Sequence, residues 1–312
     1  MERLDSGAPV AAHLRGAIVA LGNFDGFHLG HQAVVGRAIE RARAAGRPAI
    51  VATFDPHPMR LFRPDTPPFR LTTLDQRQRL FAAAGADAML VFHFDHALAA
   101  RSAQDFVAML ADDIGAAGVV TGEDFTFGKG ASGNAQALRD LGAPLGITAE
   151  TVAPVADAQG EAVSSSRIRD ALKAGDPQAA ARLMTRPFAI EGIVEHGDAL
   201  GRTIGYPTAN LSMGKYLRPA YGIYAVRGHL PDGTMLNGAA NLGIRPTFDP
   251  PKELFEPHFF DFHGDLYGQR IEVELVEFLR PEAKFDSLDA LVAQMDADCA
   301  RAREILASSP LP

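Results

Sequence analysis

Two histidines three residues apart, His28 and His31, close the stretch Gly22-Asn23-Phe24-Asp25-Gly26-Phe27-His28-Leu29-Gly30-His31. An imidazole donates hydrogen bonds and can hold positive charge near neutral pH, so a pair of them suits a phosphate group. The apolar run 17–21 before the stretch reads as a buried strand, and 32–40 after it has apolar residues at helical spacing. The stretch is therefore a strand-to-helix turn. Its three glycines permit tight backbone and close approach to a ligand. The helix start offers unpaired N–H groups and the positive end of a dipole, which favours an anion. Binding and reaction at a nucleotide phosphate is the chemistry this suggests. The plain alternative is a turn whose histidines only cap the helix; the fused Gly-x-Phe-Asp-Gly makes that the weaker reading.

Three more clusters have chemical potential. The run 163–169, Val-Ser-Ser-Ser-Arg-Ile-Arg, puts hydroxyls and guanidinium groups at a helix start. One hydroxyl would serve as a cap; Ser164, Ser165, Ser166, Arg167 and Arg169 together make an oxyanion clamp. The stretch 197–210 combines glycines with Arg202 and ends in Pro207-Thr208-Ala209-Asn210. Glycines and an arginine suit a phosphate-covering loop. Thr208 and Asn210, two apart, offer hard oxygen ligands on one face of an extended segment, as Mg²⁺ carried by ATP would need. An ordinary glycine-rich hairpin loop is the alternative. In 123–130, Phe125 and Phe127 lie among glycines with Lys129 nearby; they suit a planar ring and a phosphate, or simply the core.

The elements that must position these groups fall into two halves. At 312 residues about two domains are expected. In the first half, strands at 17–21, 49–54, 88–92 and 117–122 alternate with helices, implying a mainly parallel sheet covered by helices. Thr73 with Gln76 reads as a capping box and Ser102 as a second cap. Residues 1–16 read as a partly mobile lead-in. The second strand ends at Asp55-Pro56-His57-Pro58, where two prolines enforce a rigid loop at its carboxyl end. Thr185-Arg186-Pro187 breaks the helical pattern, which sets the boundary between domains 1–185 and 186–312. Beyond it, short alternating strands run with no helix until Ser287, suggesting a small antiparallel β-barrel with a terminal helix.

The net charge of −8 argues against a nucleic-acid backbone as partner. One cysteine, Cys299, gives no intrachain disulfide. There is no 18-residue apolar run and no signal-peptide pattern, so a cytoplasmic protein without membrane association is expected. A homo-oligomer stays open.

The stretch 22–31 resembles the nucleotidylyltransferase superfamily, and in its longer form the bacterial bifunctional riboflavin kinase/FAD synthetase family. The Phe54-Asp55-Pro56-His57-Pro58 loop, the Asp124-Phe125-Thr126-Phe127-Gly128 segment and the serine–arginine run are similar to that family's, with Ser166 where Thr is usual. In the second half Pro207-Thr208-Ala209-Asn210 resembles the riboflavin kinase signature. Asn241-Leu242-Gly243-Ile244-Arg245-Pro246-Thr247-Phe248 and Glu256-Pro257-His258-Phe259-Phe260-Asp261-Phe262 follow in the family's order.

The resemblance implies an α/β fold with an N-terminal Rossmann-like nucleotidylyltransferase domain and a C-terminal β-barrel kinase domain. It implies phosphorylation of riboflavin to FMN in 186–312, with Glu256 as general base and Thr208 and Asn210 holding Mg²⁺. It implies adenylylation of FMN to FAD in 1–185, with His28 and His31 catalytic. ATP would be held by Gly22, Asn23, Phe24, Asp25, Gly30, Ser165, Ser166 and Arg169, and in the kinase by Gly201 and Arg202. Flavin would be met by Phe54, Pro56, His57, Pro58, Asp124 and Phe125. Asp25 either fixes the turn or orients a ligand. Pro257 stands where a backbone donor is more usual and leaves the aim of Glu256 open. The implied partners are the small molecules ATP, riboflavin and FMN. Two alternatives remain: an adenylyltransferase for another small phosphate ester, such as phosphopantetheine or nicotinamide mononucleotide, and a non-catalytic flavin- or nucleotide-binding protein.

Overall fold

The computed structural model describes residues 1–197, 204–245 and 252–308. Contacts group them into two compact units, Met1–Pro67 with Thr72–Ser164, and Pro68–Leu71 with Ser165–Pro312.

The first unit is built on six strands: β1 (Glu2–Asp5), β2 (Ile18–Leu21), β3 (Ala49–Asp55), β4 (Ala88–His93), β5 (Gly118–Gly122) and β6 (Thr148–Val152). Their order is β1-β4-β3-β2-β5-β6, and every pairing is parallel. Parallel neighbours need crossovers, and the unit's helices supply them: α1 (Leu29–Ala44), α2 (Pro58–Phe62), α3 (Leu74–Ala84), α4 (His96–Ala99), α5 (Ala103–Asp112) and α6 (Ala135–Gly142). Alternate strand residues feed opposite faces. Ile18, Ala20, Val51 and Met89 pack with Val35 and Ile39 of α1 and Phe81 of α3. Val19, Leu21, Ile50 and Leu90 pack with Phe106 and Leu110 of α5 and Leu138 of α6. Thr73 and Gln76 form the expected reciprocal cap of α3, and Ser102 with Asp105 forms one for α5.

From β2 the chain steps through β3 to β4, then returns to β5 on the far side of β2. That reversal is a topological switch point, and open parallel sheets take ligands beyond the carboxyl ends of the strands there. The loops leaving β2 and β5 are the histidine turn and the Asp124-Phe125 segment. The fold thus brings two sequence-distant candidates to one crevice.

Residues 1–16 are not the loose lead-in that their composition suggested. Glu2–Asp5 is strand β1, paired residue for residue with Ala88–Val91 of β4.

The second unit contains α7 (Ser165–Lys173), α8 (Pro177–Met184), β7 (Phe188–Ile193), β8 (Gly222–His229), β9 (Met235–Arg245), β10 (Lys252–Phe259), β11 (Arg270–Pro281) and α9 (Leu288–Ser308). Thr185 takes φ 60° where α8 ends, and by contacts α7 and α8 group with the strands that follow. The sheet order is β10-β9-β8-β11-β7, antiparallel throughout. One face buries Phe188, Ile190, Tyr224, Val226, Val273 and Leu275. On the other, the small pair Ala225 and Ala239 lets α9 pack through Ala302 and Leu306. Register shifts at Leu275/Glu277 and Phe278/Arg280 bend β11. The Ala209–Leu211 segment then spans the two sheet edges. Ala209 and Leu211 donate to the carbonyls of Pro257 and Phe255 on β10, and Glu195, just after β7, donates to the carbonyl of Asn210. The sheet curls toward a small barrel, with the Thr208–Asn210 run as its closing piece.

Candidate active sites

The histidine turn is held under strain. Phe24 (φ 49°) and Phe27 (φ 41°) adopt left-handed backbone, which only a few per cent of non-glycine residues do. Their rings are buried against Phe81, at 5.8 Å and 5.1 Å between centroids. Asp25 is buried, and its Oδ1 accepts from the Thr72 N–H (3.0 Å) and the Thr72 hydroxyl (3.2 Å). The Gly26 N–H donates to the same Thr72 hydroxyl. The Asn23 carbonyl accepts from the Thr53 hydroxyl (2.7 Å) and from the buried Arg77 guanidinium (3.1 Å), which also donates to Thr53 (2.8 Å). The Asn23 side-chain oxygen is itself buried with no hydrogen-bond partner among the described residues. Thr53, Thr72 and Arg77 are functional supports that sequence reasoning missed. They lie 30 to 54 positions from the turn they hold.

His28 is the N-cap of α1, and its Nδ1 accepts from the His31 N–H at 3.4 Å. An accepting Nδ1 leaves Nε2 as the protonated, donating nitrogen. The two imidazoles stack, with centroids 3.6 Å apart, and Phe24 meets the His31 ring edge-on. At Gly30 an added Cβ would lie 3.2 Å from the His28 ring and 3.7 Å from the Val163 carbonyl. The glycine of the motif is thus where imidazole and the chain before α7 crowd the helix start.

The flavin-side expectations separate by depth. Phe54 is buried among Phe92, Phe94 and Phe106, so it shapes a wall from within the core. After it, Pro56, His57 and Pro58 form the loop into α2, where His57 Nδ1 caps the Met59 N–H. That short helix presents Phe62, 66% exposed and edge-on to Phe94. Asp124 is exposed and Phe125 half-buried on the loop after β5, Phe125 stacking on the buried Phe127. In the later unit, Ser165 and Ser166 open α7. Arg169 Nε donates to the Phe69 carbonyl at 2.8 Å, with the guanidinium 5.2 Å from the Phe69 ring centre.

Two cavities of the later unit share one residue. The first, about 300 Å³, is lined by Thr208, Asn241, Glu256 and His258, by Arg280 and Glu282, and by an apolar wall including Ile204, Phe285, Leu291 and Met295. The second, about 450 Å³, is lined by Thr208, Pro257, Phe262, His263, Asp265 and Tyr267 among others. Thr208 lines both. Thr208 and Asn210 are half-buried on either side of the buried Ala209. Asn210 packs against Gly197, where any Cβ would collide with its amide. Gly201 and Arg202, with the rest of 198–203, and the motif residues 246–248 lie outside the described residues.

Glu256 pairs with Asn241 across β10 and β9, so both side chains take the same face. Pro257 does not disturb this. The β9–β10 register continues through Pro257↔Ala240 to Phe259. The Pro257 carbonyl points to the Ala209 edge, and a residue's N–H and C=O point the same way in a strand; the missing donor therefore falls on that edge and not on β9. The cavity's far wall is tied to α9. Arg280 grips Asp298 bidentately at 2.7–3.0 Å, and the Tyr206 hydroxyl donates to Asp296. Burial, with that hydrogen bond, pushes the Tyr206 phenol up to about 12, so it stays a donor. Burial likewise raises the Cys299 thiol to about 11, so the wall holds no thiolate.

A family model for FAD synthetase matches residues 10–167, and one for riboflavin kinase matches residues 184–306. The bifunctional riboflavin kinase/FMN adenylyltransferase of Pseudomonas fluorescens is 40% identical over 95% of this chain and 94% of its own length. Its Escherichia coli counterpart is 38% identical over 93% and 92%, and that of Bacillus subtilis 36% over 90% of each. A crystal structure described as a macrolide-efflux protein from Streptococcus pneumoniae matches with a TM-score of 0.87 at 32% identity, over 99% of this chain and all of that one. No described helix of this chain is long and apolar enough to cross a membrane.

Proposed function

We propose specific residue roles for this chain, which belongs to the bifunctional riboflavin kinase/FMN adenylyltransferase family. It phosphorylates riboflavin to FMN with ATP and adenylylates FMN to FAD with release of pyrophosphate. The functional division is assigned at 185/186. The sharing of Thr208 between two cavities supports the kinase reading most strongly.

The smaller, apolar-walled cavity suits the isoalloxazine and ribityl chain of riboflavin. The larger, with the Tyr267 ring stacked on His196 at 3.8 Å, suits ATP. Where they meet, the terminal hydroxyl of riboflavin faces the γ-phosphorus. Its oxygen bonds to phosphorus, the bond to ADP breaks, and Glu256 takes the hydroxyl proton. A primary alcohol is a weak nucleophile at neutral pH, so a positioned carboxylate is the group required. The donor set at Thr208 and Asn210 is hard oxygen on one face, which fits Mg²⁺ arriving with ATP. When bound, the ion supplies charge neutralisation on the phosphates.

In the earlier half an FMN phosphate oxygen attacks the α-phosphorus of ATP and the bond to pyrophosphate breaks. The nucleophile is already an anion, so the need is for donors toward the crowded transition state. His28 Nε2–H, His31 and the N–H groups opening α1 supply them, next to Asn23 and Gly30. Ser165, Ser166 and Arg169 are assigned by motif to the phosphates of ATP. Pro56, His57, Pro58, Phe62, Asp124 and Phe125 are assigned to the flavin, with Phe54 behind them. The cytoplasm, where ATP is held, is the proposed compartment.

Purified protein given riboflavin, ATP and Mg²⁺ should make FMN and then FAD, resolved by chromatography. His28→Ala should stop at FMN with FAD formation down at least about 100-fold. Glu256→Gln should lose riboflavin phosphorylation by about 100- to 10,000-fold and still convert supplied FMN. Loss of both steps in either variant would refute the residue roles.

A further inference from the structure

The amide of Asn241 is a buried group with work left to do. Its side-chain oxygen is shielded from solvent and has no hydrogen-bond partner among the described residues. A buried acceptor left unpaired leaves its desolvation uncompensated, so such groups are rare and call for an explanation. Asn241 also lines the cavity that holds Glu256 and sits directly across from it in the β9–β10 register. Side chains paired this way have Cβ atoms about 4.5–5.5 Å apart. Whatever places a hydroxyl at Glu256 therefore brings its neighbouring atoms to Asn241.

We propose that Asn241 is the specificity-determining residue of the kinase reaction, accepting a hydrogen bond from the secondary hydroxyl next to the primary hydroxyl that is phosphorylated. This rests on the placement of riboflavin in that cavity. The amide oxygen needs a donor. The ribityl chain brings one on the carbon beside the reacting one, within reach of two side chains that start from facing positions on one sheet face and converge on the cavity. The pair then reads two adjacent hydroxyls: Glu256 takes the proton of the terminal one, and Asn241 fixes the rotation of the bond between their carbons. A substrate with a primary alcohol but no hydroxyl beside it would bind with that torsion unset and the amide unpaired.

The test compares riboflavin with 4′-deoxyriboflavin, which lacks only that secondary hydroxyl, in the wild type and in Asn241→Ala. The expected wild-type loss on removing the hydroxyl is 10- to 100-fold in kcat/KM for phosphorylation. Asn241→Ala should lose a similar factor on riboflavin and less than threefold more on the deoxy substrate, since each change removes the same hydrogen bond. The pH profile of kcat should stay in place. The Tm of the variant should not fall, because the amide oxygen pairs with none of the described residues in the free protein. Equal losses on both substrates would show a role in aiming Glu256 and overturn the proposal, as would an unaffected variant. If Asn241→Ala does not fold, the wild-type comparison still decides: a loss under threefold with the deoxy substrate overturns it. Wild-type protein that leaves riboflavin unphosphorylated would instead refute the underlying site placement. Conversion of supplied FMN to FAD by the variant at the wild-type rate controls for intact protein.

Discussion

At the scale of single residues, the histidine turn shows which of two opposed energies prevails. Left-handed backbone at Phe24 costs about 1–3 kcal/mol, while losing a buried phenylalanine ring costs about 3–5 kcal/mol. Burial of the ring against Phe81 therefore holds the strained turn in place. Asp25 completes the hold through Thr72, which favours the turn-fixing role of the two that the sequence left open. Asparagine keeps a side-chain oxygen that can accept both of those hydrogen bonds from Thr72. Asp25→Asn should keep FAD formation within about threefold of wild type and cost at most about 1 kcal/mol in unfolding free energy. A loss of 100-fold in rate without loss of stability would show that the charge itself meets a ligand.

At the scale of elements, β10 must carry Glu256 at the right register despite a proline beside it. Since the missing donor faces the Ala209 edge, Pro257→Val should restore an edge hydrogen bond and leave β9–β10 alone. The expected outcome is kinase activity within threefold and a gain of about 0.5–1.5 kcal/mol, read by urea unfolding. A tenfold change in kcat would mean that the proline aims the base. A second element-level effect is electrostatic. His229 Nε2 lies 3.2 Å from Glu274 across β8 and β11, and that carboxylate, with Glu272 adding to it, raises the imidazole pKa above its usual value. A raised folded-state pKa adds stability that is full below about 6.5 and is lost as pH rises through the folded value. Unfolding of the later half should therefore become easier as pH rises above about 6.5, and His229→Gln should flatten that slope. The chain has no tryptophan, so circular dichroism is the suitable readout.

How far these elements could be read from sequence followed how they are buried. Strands β2 to β5 are continuous apolar runs because helices cover both their faces, and they stand out. Strand β1 is an edge strand, Glu-Arg-Leu-Asp with three of four residues exposed, and offers no apolar signal. Strand β6, Thr-Ala-Glu-Thr-Val, is no deeper than half-buried and hides for the same reason. Arg77 reads as one more polar residue on α3; only the fold brings it to the Asn23 carbonyl. Glu256 and the histidine pair stand out as candidates because their motifs are local. Asn241 was legible as part of a motif, but its facing Glu256 depends on strand register, which no local pattern encodes.

At the scale of the whole molecule, one chain holds two phosphate chemistries on two architectures, and each suits its task. The parallel sheet gives a switch point at which the start of α1 and the histidine turn stand together, the place proposed for the nucleotide phosphate. The antiparallel sheet, curled by its bulges and edged by the Thr208–Asn210 run, gives a walled cavity, the place proposed for the planar substrate. The two reactions use different phosphorus atoms of ATP, which makes them separable by isotope.

The most direct measurement follows label from ATP into flavin. With riboflavin as substrate, label from γ-³²P ATP should enter FMN and persist in FAD, and label from α-³²P ATP should enter FAD alone. His28→Ala should pass γ label to FMN and no α label to any flavin. Glu256→Gln, given FMN, should still pass α label to FAD. Label from α-³²P ATP in FMN, or its loss from FAD when Glu256→Gln is supplied with FMN, would contradict two independent centres of phosphate transfer.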